Sequence, residues 1–164
     1  MKRIRLSLGD VFAVKIENGR IRCFQYIGND LSQLNSAVVR IFKRSFSDDI
    51  SDLAIVVNDE VEFYAHTIVN MGVKMELWKK IGNVKELGKI DIRFRCSNDY
   101  GIKIGEEPVV ISDNWYVWKM NEECQQVGKL KGDNQNSDLG LVVPPDEIVY
   151  RIKNGNYSFF HPKF

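Results

Sequence analysis

The chain has 164 residues, 44% of them hydrophobic and 27% charged, and its 23 Lys/Arg against 22 Asp/Glu leave a net charge of +1. That length fits one domain, spanning 1–164, that buries roughly two-thirds of its unfolded surface, and the composition excludes disorder throughout. Near-neutrality argues against a strongly basic nucleic-acid binder, and no run approaches the ~18 apolar residues of a membrane span.

In residues 1–7, Lys2, Arg3 and Arg5 alternate with Ile4 and Leu6, the pattern of a charged edge strand that resists edge-to-edge association. This basic start lacks an apolar core and a small-residue cleavage site, so it reads as the mature start of a cytoplasmic protein. Residues 8–26 carry the clearest local signal. Two apolar, β-branched runs flank Glu17-Asn18-Gly19-Arg20, and Asn-Gly supplies the positive φ that a type I′ hairpin turn requires at both central positions. Phe12, Val14 and Ile16 share one face of the first strand; Ile21, Cys23 and Gln25 share a face of the second. Gly28-Asn29-Asp30 breaks the pattern, and Asp30 can cap one short turn over residues 31–34.

Residues 36–46 read as a strand closed by Lys43-Arg44, followed by a polar loop at 47–52, an apolar run at 53–57 and a turn at Asn58-Asp59. In 61–69, Val61, Phe63 and Ala65 alternate with Glu62, Tyr64 and His66, a half-buried strand. Residues 73–81 suit either a helical face or a strand, and Gly82-Asn83 ends the segment in both cases. Residues 89–95 alternate with Ile90, Ile92 and Phe94 on one face, and a turn at Asn98-Asp99-Tyr100-Gly101 follows. Apolar runs at 109–111 and 115–120 are joined by Ser112-Asp113-Asn114. Residues 128–139 are the most polar stretch and are expected to form a mobile loop. Residues 145–154 hold the best helix signal: Pro145 at the first position, Asp146 and Glu147 at the positive end, Arg151 and Lys153 in the last turn, and Gly155 as the left-handed stop. A second hairpin around Asn154-Gly155 is the competing reading. The fold class expected is α+β and β-rich, a mostly antiparallel twisted sheet or partly open barrel with a short C-terminal helix.

Cys23, Cys96 and Cys124 are an odd number with long, unequal gaps; they suit neither a disulfide framework nor a zinc site and read as buried small hydrophobes. The two histidines, His66 and His161, are too few for a binuclear histidine-rich site. His66 reads as structural or partly exposed rather than as a metal ligand. No G-x-S-x-G elbow, P-loop or H-E-x-x-H is present. The Trp115-Tyr116-Val117-Trp118 cluster could stack bases, but at least one of its faces must be core. No residue is singled out as catalytic, and no metal or cofactor is expected.

Charge is unevenly distributed. Residues 1–44 hold nine bases against three acids and residues 74–103 eight against four, whereas residues 45–73 hold no base and six acids: Asp48, Asp49, Asp52, Asp59, Glu60 and Glu62. Such a segment can form a patch that attracts a basic partner and speeds association, or simply a solvated face.

Gly9-Asp10-Val11-Phe12-Ala13-Val14, then Asn18-Gly19-Arg20 and Phe24-Gln25-Tyr26, resemble the opening of the immunity protein 26 family of bacterial polymorphic toxin systems. The likeness continues through Trp78 and Ile81-Gly82-Asn83, the Trp115–Trp118 region, and Ile148, Arg151, Ile152 and Gly155. The resemblance implies a cytoplasmic, non-enzymatic protein that binds and neutralises a toxin. Some relatives carry a phosphotriesterase-type label, which the histidine count here argues against transferring. The six acids are the expected contact for a basic toxin such as a nuclease. Two rival readings are a phosphoester hydrolase and a small nucleic-acid-binding module using the basic segments 1–44 and 74–103.

Overall fold

In the computed structural model, which describes residues 4–101 and 103–164, Asn18 and Gly19 both take positive φ, at 60° and 68°. They form the expected tight turn between β1 (Asp10–Lys15) and β2 (Arg20–Asp30), which pair antiparallel with Val11 opposite Gln25 and Lys15 opposite Ile21. The break expected at Gly28-Asn29-Asp30 does not occur. β2 absorbs Gly28 as a bulge, its φ at 137°, and continues to Asp30. β3 (Ser36–Ser47) and β4 (Val61–Thr67) extend the sheet antiparallel, and α1 (Leu53–Val57) lies between them, capped by Asp52, which accepts from the Ala54 N–H at 3.1 Å.

The ambiguous stretch 73–81 divides between two elements. α2 (Val69–Lys74) ends just inside it, and β5 (Lys79–Asn83) closes it by pairing with β1. Trp78 enforces the division: its indole N–H donates to the Val69 carbonyl at 3.0 Å, and its ring lies so close to Gly72 that a Cβ there would approach within 2.0 Å. The edge strand expected over 1–7 is not formed in its described part, 4–7, because β5 occupies that edge of β1; Lys2 and Arg3 lie outside the described residues.

A second sheet contains β6 (Arg93–Ser97), β7 (Trp115–Lys119), β8 (Gln125–Gly128) and β9 (Asp138–Leu139) in the order β8-β7-β6-β9. Residues 89–92 stay outside the ladder, although Ile90, Ile92 and Phe94 pack into one cluster as their alternation requires. Residues 109–111 contribute a single bridge, Ile111 to Lys163. β10 (Val142–Val143) returns to the first sheet and lies parallel to β4, giving the order β10-β4-β3-β2-β1-β5. Both sheets are open and mixed, and antiparallel pairing predominates. α3 (Pro145–Asn154) forms with the bounds the sequence predicts and ends on Gly155 at φ 86°.

Three layers result. α2 and α3 cover one face of the first sheet over Phe12, Phe24, Ile41, Phe63 and Trp78. On the opposite face, α1 covers Val11, Ala13, Cys23 and Phe42, while the second sheet covers Ile27 and Val38 with Phe94 and Trp118. The polar stretch 128–139 contains buried anchors, Leu130 and Leu139, and a 3-10 turn over Gly132–Asn136 whose Asn134 accepts from Arg93 at 2.8 Å. Its polar composition concealed those anchors. Cys23 and Cys96 are buried thiols, whereas Cys124 is exposed.

Candidate functional site

The six acids lie along the β3–α1–β4 connection. Asp48, Asp49 and Asp52 precede α1, Asp59 and Glu60 follow it, and Glu62 is the second residue of β4. The reversal around α1 brings both groups to one end of the first sheet, where the Lys43 N–H donates to the Glu60 carbonyl. Linear counting overstates their negative field, because cations from neighbouring strands fold onto them. Arg22 pairs with Glu62 at 2.5 Å, Lys43 with Glu60 at 3.2 Å, and Lys79 with Asp48 at 3.4 Å. Asp59 accepts from the Arg44 N–H at 2.7 Å and retains 6% side-chain exposure. Among the described residues, Asp49 and Asp52 have no cation within 4 Å; Asp49 accepts from the Ser47 hydroxyl, and Asp52 caps α1. The outward side of α1 therefore presents the half-exposed Ile55, with Asp48, Asp49, Asp52 and Glu60 exposed on either side in sequence.

His66 is not on a half-exposed face. β4 is covered on both sides, and the ring is fully buried, 4.2 Å from that of Phe94. Its Nε2 donates to Asp30 Oδ2 at 2.9 Å, and Trp118 Nε1 donates to the same oxygen at 2.7 Å. Asp30 Oδ1 accepts from the Ser32 N–H and hydroxyl, as the predicted cap requires, and also from the Asn121 N–H. Burial alone would raise the Asp30 pKa, but hydrogen bonds led by those from Trp118 and His66 bring it down to about 2. Burial pushes His66 below its ordinary value, with Asp30 opposing, so near neutrality the ring is uncharged and donates from Nε2. The cluster joins the two sheets, and a histidine with no solvent access is not placed to act on a phosphoester.

The aromatic cluster is packed on both faces. Trp115 and Val117 bury on one side and Trp118 on the other, and only Tyr116 is partly open, stacked on Trp118. Among the described residues, no three His, Cys, Asp or Glu side chains are grouped so as to hold a metal ion. No described helix is long and apolar enough to cross a membrane.

A family model described as Immunity protein 26 matches residues 7–101. The matched span runs from the chain just before β1 to the turn after β6, and the likeness read at Trp115–Trp118 and Ile148–Gly155 lies beyond it. No curated protein and no solved structure matches the chain.

Proposed function

The chain belongs to the immunity protein 26 family, and we propose that it protects its host by binding a cognate toxin and covering the toxin's working surface. The family match over 95 of 164 positions, residues 7–101, carries this reading; the family points to an inhibitor that works without catalysis. The contact surface is the outward side of α1 and its flanking loops, and the toxin has a basic face, as a nuclease does. Ile55 supplies an apolar centre, and Asp48, Asp49, Asp52 and Glu60 supply a charged rim. Asp59 and Glu62 act from behind, holding Arg44 and Arg22 so that the connection keeps its shape. Rim charges of this kind raise association rate and salt sensitivity more than they raise affinity.

The test is titration of the purified protein with the toxin domain encoded beside it, at two salt concentrations, together with rescue of cells expressing that toxin. A stoichiometric complex is expected, with association slowed roughly tenfold or more by salt or by the double variant Asp49→Lys/Asp52→Lys. As a control, Met71→Lys on α2 and Met75→Lys at its C-terminal cap alter exposed positions away from α1 and leave binding unchanged. Unaltered binding by the double variant, with loss on α2 substitution, moves the contact surface to α2. Failure to bind or rescue removes the pairing with that toxin.

A further inference from the structure

We propose that the cavity between the second sheet and the α3 corner binds a small molecule through an oxyanion, a phosphate or carboxylate group, held by Arg95, Ser137, Arg151, Tyr157 and His161. The cavity measures about 290 Å³ and brings together β6, β9, the end of α3 and the C-terminal tail. Its volume lies at the small end of the range for ligand sites. Five buried side-chain atoms among the described residues have no hydrogen-bond partner, and three of them belong to residues lining this one cavity: Arg95 Nε, Ser137 Oγ and the Tyr157 hydroxyl. Ser137 and Tyr157 are 4% and 9% exposed. Buried donors need an acceptor, and three residues carrying such atoms share the wall of this one cavity.

The two guanidiniums are arranged for the same purpose. Arg95 lies over the Phe164 ring at 4.9 Å, and Arg151 over those of Phe63 at 3.8 Å and Tyr157 at 4.8 Å. Stacking occupies the flat faces and leaves the in-plane N–H groups to grip an oxyanion from the edge. Among the described residues, neither guanidinium is within 4 Å of a carboxylate. Positive charge is concentrated here: burial first, then Arg95, Arg151 and Lys163, hold His161 below its ordinary pKa against the Pro162 carbonyl. Among the described residues, Asp138 is the one acid lining the space. Burial raises its pKa to about 6 although Arg151 and Arg95 pull it down, so its repulsion of an anion weakens on mild acidification.

Calorimetric titration with inorganic phosphate and, separately, with acetate at pH 6 tests the site in the full chain. Saturable one-to-one binding is expected for one of them, phosphate identifying a tetrahedral ligand and acetate a planar one. Tyr157→Phe and Ser137→Ala each weaken it roughly tenfold or more; Ser137→Ala does so without lowering the melting temperature of the free protein, because its hydroxyl has no protein partner to lose. Arg151→Gln abolishes binding; since it also removes stacking over Phe63, the hydroxyl variants carry the test if that protein does not fold. Absence of saturable binding for both anions, or unchanged affinity in the two hydroxyl variants, overturns the proposal. None of these readouts depends on the toxin.

Discussion

Asp30 and Trp118, 88 residues apart, are joined by a hydrogen bond of 2.7 Å, and both side chains are buried. Because His66 of the first sheet donates to the same carboxylate oxygen, one atom ties the two sheets together. Asp30→Ala leaves the Trp118, His66 and Asn121 donors without an acceptor and should cost about 3–5 kcal/mol. Trp118→Phe keeps most of the ring and removes one donor, for a loss of about 1–3 kcal/mol. Urea unfolding of both variants checks the order; a loss below about 1 kcal/mol for Asp30→Ala would mean that the carboxylate is not the tie.

The pH dependence follows from the same groups. The folded Asp30 pKa, about 2, lies below its unfolded value, so its contribution is present above the ordinary carboxylate range and is lost as pH falls from about 4 towards 2, by about 2 kcal/mol in all. His66 is depressed below its ordinary value; it favours the folded state above about 6.5 and loses that contribution on acidification. Asp138 works in the opposite direction. With a folded pKa of about 6, it disfavours folding when ionised, and that cost fades as pH falls through 6 towards 4. Asp138→Asn, which resembles the protonated acid, should therefore be more stable than the parent at pH 7.5, by about 1–2 kcal/mol after allowance for partial exposure. The difference should close by pH 4. Chemical denaturation in a buffer free of phosphate and carboxylate measures it, and a gap that widens on acidification would contradict the assignment.

What could be read from sequence were the features encoded within a few residues of each other. The Asn18-Gly19 turn and the helix from Pro145 to Asn154, with Gly155 beyond it, carry their own stop and start chemistry. The cap at Asp30 was legible from its place just before the short turn over residues 31–34, but its bonds to His66 and Trp118 were not, because spacing does not register pairings between distant strands. His66 alternates as an exposed residue should, yet β4 is covered on both faces, so alternation lost its meaning there. The run Leu53–Val57 is apolar at every position and shows neither a helical nor a strand period. The acidic segment was overstated for a related reason: Arg22, Lys43 and Lys79 reach it only through strand pairing. Arg95, Asp138, Arg151 and Tyr157 come from separate elements and share no motif, which is why the cavity they line left no trace in the sequence.

Gly72 tests the junction between α2 and β5. A methyl group there would meet the Trp78 ring at 2.0 Å, and the indole is held in place by its bond to the Val69 carbonyl. Alanine normally favours a helix over glycine by about 1 kcal/mol. At this position the overlap should prevail, giving a net loss of about 1–3 kcal/mol, with α2 displaced from the sheet. Thermal melts compared with Val73→Ala, on the same helix but without the clash, separate the two effects. A stabilised Gly72→Ala protein would mean that the helix and ring can part without cost.

The family match ends at residue 101, but the fold it covers is not self-sufficient. β6 is paired on both sides by strands from beyond that point, β7 and β9, and β4 takes β10 as its outer neighbour. Ile148 and Ile152 of α3 also belong to the core cluster that contains Phe63 and Trp78. A fragment ending at residue 101 would expose the edges of β4 and β6 and one apolar face of the first sheet, conditions that favour aggregation over folding. The full chain should unfold in one cooperative transition, with tryptophan fluorescence and far-ultraviolet circular dichroism coinciding, because Trp78 packs on the first sheet and Trp115 and Trp118 belong to the second. The fragment should show no cooperative transition. A fragment that melts cooperatively, or two separated transitions in the full chain, would mean that the sheets are independent units and that the Asp30–Trp118 bond is incidental to folding.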